Sequence, residues 1–214
     1  TVISTVPLSS ASDLDKAVKA AEAAFPAWSG TPIKERSQIF FRYRELLSKN
    51  REELATLVHT ENGKTMDESY AEVDKSMELT EFACSLPQLV QGEVLEVSKG
   101  VECRIERKPL GVVASIAPFN FPNMVPHWTT PNALMLGNTM ILKPSEVVPI
   151  SAIRTPPIFS RKSIEAPRMI SSGVIWPRAE TSAISSRSSA LRVTSMRWIL
   201  RLGLSIAART VCRP

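Results

Sequence analysis

One stretch constrains this chain more than any other: Gly111 to Glu146, GVVASIAPFNFPNMVPHWTTPNALMLGNTMILKPSE. Gly111 to Ala117 is a Val- and Ile-rich apolar run, the pattern of a strand buried on both faces. Pro118-Phe119-Asn120-Phe121-Pro122 breaks it. Pro122 suits the first position of a helix, where a missing N–H leaves no bond unmade. Gly137-Asn138 closes that helix, and Thr139 to Leu142 is the next apolar strand. Strand, short loop, helix and strand make a βαβ unit, in which ligands bind beyond the carboxyl ends of the strands. Asn120 falls at the first of those ends, and Lys143 with Glu146 at the second.

Upstream the grammar is helical. Val2 to Val6 alternates weakly and reads as an edge strand. Ser12-Asp13 opens an Ala/Lys/Glu-rich helix that runs to about Ala24 and ends at Pro26, with acidic residues suiting its positive end. Thr31-Pro32 caps a second helix carrying Ile33, Phe40, Tyr43 and Leu47 on one face. Asn50 with Glu53 forms a capping-box pattern for a third helix, which stops at Asn62-Gly63. A fourth starts near Thr65 and reaches Pro87. Gly92–Ser98 and Val101–Lys108 then alternate on either side of Lys99-Gly100, as a half-exposed antiparallel ribbon does. The first 150 residues therefore read as the front portion of an α/β protein.

After Ile150 the grammar changes. The net charge of +5 conceals a basic tail: eleven Arg and Lys residues after Ser151 stand against Glu165 and Glu180 alone, +9 in total, which leaves −4 for the rest. Apolar residues in the tail follow neither period, except over 190–204, where a short basic helix is conceivable. No continuation of the sheet is legible there. An Arg-rich, Ser-rich segment can bind RNA or another polyanion through phosphates. The abrupt Ser, Arg and Pro enrichment, mixed with Ile, Leu, Met and Trp, fits a shifted reading frame better than an evolved solvated tail.

Several classes are set aside. No apolar run approaches the ~18 residues of a membrane span, and no signal segment opens the chain. It begins at Thr1, not Met, so a preceding part is expected to have been removed or left out. Cys84, Cys103 and Cys212 are too widely spaced for a disulfide framework or a zinc site, and a reducing compartment is expected. No glycine-rich phosphate loop is present. His59 and His127 read as structural or surface residues, and Trp128 as packing.

The motifs, taken together, carry a resemblance. ERKPLGVVASIAPFNFPNMVPHW followed by GNTMILKPSE resembles the aldehyde dehydrogenase superfamily, as do DLDKAVKAAEAAFPAWSGTP and RYRELLSKNREELATLVHTENGKT upstream. With Phe119 where many members have Trp, the PFNFP form most resembles the methylmalonate-semialdehyde type, which uses NAD and coenzyme A to oxidise a semialdehyde to an acyl-CoA. That type usually follows the motif's glutamate with Arg, whereas Val147 stands here. The resemblance covers about residues 1–152. It implies an α/β fold that is the N-terminal part of the aldehyde dehydrogenase fold: helices, an antiparallel ribbon, then a partial Rossmann-like βαβ unit. Residues 1–152 would belong to the NAD-binding domain, and 153–214 would form an irregular, basic tail.

The resemblance also implies roles. A cysteine thiolate attacks the aldehyde carbonyl, and Asn120 donates its side-chain amide N–H to the resulting oxyanion. The backbone at Ala117 and Phe119 lines the cofactor groove. Lys143 and Glu146 hydrogen-bond the adenosine ribose hydroxyls, and an acidic acceptor there favours NAD over a 2′-phosphorylated cofactor. No metal is implied. The nucleophilic cysteine, the general-base glutamate and the second nucleotide-binding half lie beyond the resemblance; no cysteine here has the family's setting, and Cys212 has no Gly-Gln before it. The chain is thus expected to be a truncated dehydrogenase inactive alone, the alternative being a non-enzymatic polyanion- or RNA-binding protein. By the same resemblance the full-length proteins are homo-oligomers in the cytoplasm, or in the mitochondrial matrix of a eukaryote, without membrane partners.

Overall fold

The computed structural model describes residues 3–6 and 9–155, and the backbone of two later strands, Arg192–Val193 and Ile206–Arg213. Four helices come first: α1 (Ala11–Gly30), α2 (Ile33–Lys49), α3 (Arg51–Asn62) and α4 (Met66–Leu89). The expected edge strand is not formed, since residues 3–6 carry no regular structure.

Local chemistry sets the helix ends. At α1 the Asp13 carboxylate accepts from the Ser10 N–H at 2.9 Å and the Ser10 hydroxyl at 2.8 Å. These bonds, with Lys16, hold Asp13 down at about 2. Contrary to the sequence reading, α1 continues through Pro26. Proline forfeits its own helical bond, but Trp28 beyond it is buried and its indole donates to the Leu134 carbonyl at 3.0 Å, which holds the last turn in place. The capping box expected at Asn50 is also absent: the Asn50 amide turns back and donates to the Leu46 carbonyl at 2.7 Å, closing α2 instead of opening α3. A capping box forms instead at the start of α4, where Thr65 N–H donates to the Glu68 carboxylate at 2.9 Å. Helix α4 runs past Pro87 to Leu89.

Strands β1 (Glu93–Ser98) and β2 (Val101–Pro109) form the expected antiparallel ribbon, with Leu95 opposite Cys103. The βαβ unit follows as β3 (Val112–Ile116), α5 (Met124–Met135) and β4 (Thr139–Lys143). The strands are parallel, with Val113 opposite Met140 and Ile116 opposite Lys143. The main core joins Phe40, Leu47, Leu54, Val73 and Leu86 of the helices to Leu134 and Met135 of α5. On the other face of the sheet, Ala17 and Ala21 of α1 pack on Val112 and Ile141. Both faces are covered, as an uninterrupted apolar strand requires.

The sheets do extend into the tail. Strand β5 (Arg192–Val193) pairs parallel with β3, and β6 (Ile206–Arg213) pairs antiparallel with β2. Residues 192–193 are thus extended, not part of the helix conceived over 190–204. Of the basic tail residues Arg154 is described, and its guanidinium pairs with the Glu53 carboxylate of α3; the rest, on which the polyanion reading mainly rests, lie outside the described residues or have only their backbone described. Among the described residues no helix is long and apolar enough to cross a membrane.

Candidate functional site

The site is built on the two loops that leave β3 and β4 at the same end. The Ala117 N–H donates to the Lys143 carbonyl at 2.9 Å, carrying the strand pairing one step past β3. Ala117 is buried, so what it can offer a ligand is its carbonyl and methyl group. Phe119 and Asn120 are exposed in the loop that follows.

Helix α5 begins at Met124, two residues after Pro122, and the start it takes has a cause far away in sequence. One oxygen of the Glu72 carboxylate, on α4, accepts the N–H of Asn123 at 2.8 Å and of Met124 at 3.1 Å. Its other oxygen is paired with the Lys64 ammonium, and Glu72 is 3% exposed. Lys64 also sits 4.0 Å from the centre of the Phe121 ring. Asn62 donates to the Phe119 carbonyl at 2.8 Å. Asn123 is fully buried, accepts from the Ser76 hydroxyl at 2.8 Å, and offers its carbonyl to His127 Nδ1 at 2.7 Å. Every neighbour of Asn120 in the loop is anchored, whereas the Asn120 amide makes no hydrogen bond among the described residues.

The other end of α5 is held by opposite charge. The Arg36 guanidinium, buried, donates from Nε to the Met135 carbonyl at 2.8 Å and from a terminal nitrogen to the Thr31 carbonyl. A carboxylate at the N-terminus and a guanidinium at the C-terminus both oppose the helix dipole. Beyond Gly137, whose φ is +87°, the Asn138 side chain accepts from Leu110 N–H at 2.7 Å and Gly111 N–H at 3.2 Å, tying the start of β3 to the end of α5.

At the β4 end, the Lys143 ammonium lies 2.7 Å from a Glu146 carboxylate oxygen. Lys143 and then a backbone bond at Glu146 hold that carboxyl below the usual carboxylate range. The Lys143 side chain is 19% exposed and that of Glu146 60%, so the carboxylate reaches solvent while its partner stays largely covered. A donor beside an exposed acceptor is a donor set that fits a vicinal diol such as a ribose. NAD held there would supply the acceptor for hydride from the substrate.

The thiol whose setting is described is not an activated one. Cys84 is half-buried on α4, and burial pushes its thiol up to about 11, the reverse of a nucleophile's setting. Cys103 lies on the ribbon, and the Cys212 side chain is outside the described residues. Among the described residues no three His, Cys, Asp or Glu gather where they could hold a metal ion.

Sequence reasoning missed Glu72, Lys64, Asn62 and Arg36. The signal for Glu72 was available: it falls with Ser69, Val73, Ser76 and Met77 on the stripe of α4 that packs inward, and a carboxylate on such a stripe needs a partner.

A βαβ unit covered by helices on both faces, with polar side chains beyond its strand ends, is the arrangement of α/β folds that bind ligands at the carboxyl ends of their strands. The chain belongs to the aldehyde dehydrogenase family, whose family model matches residues 1–190. That match reaches past Ala152, where the motifs run out. Malonate-semialdehyde dehydrogenase 2 of Geobacillus thermodenitrificans (strain NG80-2) is 46% identical over 166 residues, 77% of this chain and 34% of that protein. A methylmalonate-semialdehyde dehydrogenase structure from Oceanimonas doudoroffii superposes with a TM-score of 0.73 at 35% identity, covering 83% of this chain and 36% of its own. A structure from Sinorhizobium meliloti 1021, assigned the same activity and complexed with NAD, gives 0.73 at 36% identity over 79% of this chain and 34% of its own. The chain spans about a third of the length of the curated relatives it matches.

Proposed function

We propose that these residues supply one side of the active site of an NAD-dependent semialdehyde dehydrogenase, of the kind that passes its acyl group to coenzyme A. In this reading residues 1–152 are the first part of the cofactor-binding domain, and Lys143 and Glu146 hold the adenosine ribose while Ala117 and Phe119 border the groove. Asn120 donates its amide N–H to the oxyanion that forms when a thiolate adds to the aldehyde carbonyl. Such a donor contributes on the order of 3 kcal/mol to the transition state, because the charge it meets exists only there. The homo-oligomeric state and the cytoplasmic or mitochondrial setting belong to the same reading.

The observation that carries it is the placement of Asn120 and of the Lys143–Glu146 pair at the carboxyl ends of adjacent parallel strands. Since Cys84 is raised by burial and the family's nucleophilic cysteine lies beyond the resemblance, these residues alone do not turn over aldehyde in this reading. The test is calorimetric titration of the purified chain with NAD and NADP, followed by assay for NADH with methylmalonate semialdehyde and coenzyme A. The expected result is NAD binding preferred over NADP, with no NADH formed. Equal affinity for both cofactors would remove the ribose assignment, and aldehyde-dependent NADH would remove the claim of inactivity.

A further inference from the structure

We infer that Glu72 is a positioning residue for Asn120, acting through the loop at the start of α5. The inference rests on the reading of Asn120 as the oxyanion donor. An oxyanion donor must be held where charge will develop and must not be engaged elsewhere beforehand. The loop meets both conditions by anchoring everything except Asn120 itself. Glu72 fixes the two N–H groups after the loop, at Asn123 and Met124. Asn62 fixes the carbonyl immediately before Asn120, and Lys64 both neutralises Glu72 and faces the Phe121 ring immediately after it.

A helix start needs no such device: a local Ser, Thr or Asp side chain caps most helices. Here the acceptor comes from another helix, 51 residues away in sequence, and a carboxylate has been buried to supply it. The acceptor also serves two consecutive N–H groups from a single oxygen, which fixes the direction in which the chain enters α5 as well as its position. The loop's geometry is thereby transmitted from α4, and the Asn62 and Lys64 contacts come from the α3–α4 connection, so one rigid corner of the helical layer sets the conformation of residues 119–121.

The test is backbone and side-chain ¹⁵N relaxation on the full 214-residue chain, with acetate as an oxyanion probe. In the wild type the order parameters of residues 119–121 should match rigid backbone, about 0.85. Glu72→Ala should bring them below about 0.6 while β3 and the last turn of α5 stay rigid, and Glu72→Gln, which keeps an acceptor oxygen, should preserve them. Asn62→Ala removes only an exposed bond and provides the same readout if Glu72→Ala does not fold; it should loosen Phe119 and Asn120. Unchanged order in folded Glu72→Ala, or in Asn62→Ala where the former is unfolded, would overturn the inference. The underlying reading is read separately: acetate should shift the Asn120 side-chain amide resonances in the wild type. A rigid, Glu72-dependent loop whose amide ignores acetate would leave the positioning intact and refute the oxyanion role.

Discussion

Tyr43 on α2 and His127 on α5 lie with ring planes 11° from parallel and centres 5.9 Å apart, and share a 2.7 Å hydrogen bond. His127 Nδ1 faces the Asn123 carbonyl, which can only accept, so Nδ1 carries the proton. Nε2 is then the acceptor and the Tyr43 hydroxyl donates to it. The imidazole is neutral and fully used, and it ties α2 to the residue that ends the Asn120 loop.

A pH dependence follows. Burial lowers His127 from the usual 6.5 to about 4, so between those values the unfolded chain binds a proton that the folded chain does not. Stability is therefore fully present above pH 6.5 and falls as pH drops toward 4, with a slope of at most about 1.4 kcal/mol per pH unit from this group. Urea unfolding at pH 7, 6 and 5 measures it. His127→Gln should be less stable at pH 7 yet show a flatter profile over this range; an unchanged slope would assign the dependence to other groups. Asp13, held at about 2, acts only below this window.

Arg36 serves three carbonyl groups, those of Met135, Thr31 and, at 3.4 Å, Trp28. Arg36→Met should cost about 2 to 4 kcal/mol, because acceptors once served by a charged donor are left buried and unpaired. Arg36→Lys should recover less than half, since an ammonium lacks the planar fork that reaches these carbonyls together. Denaturant unfolding separates the cases, and a loss below about 0.5 kcal/mol for Arg36→Met would show that the carbonyls find water.

The Lys143–Glu146 pair should behave in the opposite way. It is solvent-facing on the Glu146 side, so Glu146→Gln should change stability by no more than about 0.5 kcal/mol. Its effect should instead appear in cofactor choice: NAD affinity reduced about tenfold, equivalent to one good hydrogen bond to a charged acceptor, with NADP affinity unchanged or raised as the like-charge repulsion with the 2′-phosphate is removed. Paired titrations of wild type and variant provide the comparison. An equal loss for both cofactors would mean that Glu146 does not meet the ribose.

What the sequence made legible is what short-range chemistry decides. The βαβ unit, the start of α4 near Thr65 and the ribbon turn at Lys99-Gly100 follow from local residue patterns, and the structure has them. The errors arise where a distant group overrides a local preference. Pro26 should end α1, but Trp28 is held from Leu134, 106 residues away. Asn50 should open α3, but α2 takes its amide. Pro122 should start α5, but Glu72 sets the start two residues later. The site divides in the same way: Asn120, Lys143 and Glu146 stand out by motif, while the residues that hold their loop lie on helices whose contacts no local pattern discloses.

Gly137 and Gly63 together isolate one such long-range contact. Both have positive φ, +87° and +79°, so alanine at either site is strained by about 1 kcal/mol. At Gly63 an added Cβ meets nothing within 4 Å, whereas at Gly137 it lies 3.4 Å from three atoms of the Arg36 guanidinium. Gly63→Ala therefore reports backbone strain alone. Gly137→Ala should cost more, because its methyl sits at the close edge of van der Waals contact with the guanidinium and crowds it against the carbonyls it serves. If that account is right, the excess depends on Arg36: in an Arg36→Met background, Gly137→Ala should cost no more than Gly63→Ala does. A double-mutant cycle by urea unfolding should thus show a coupling of about 0.5 to 1 kcal/mol between positions 36 and 137. Simple additivity would mean that the guanidinium yields without loss and that α5 is held at this end chiefly by the Trp28 indole.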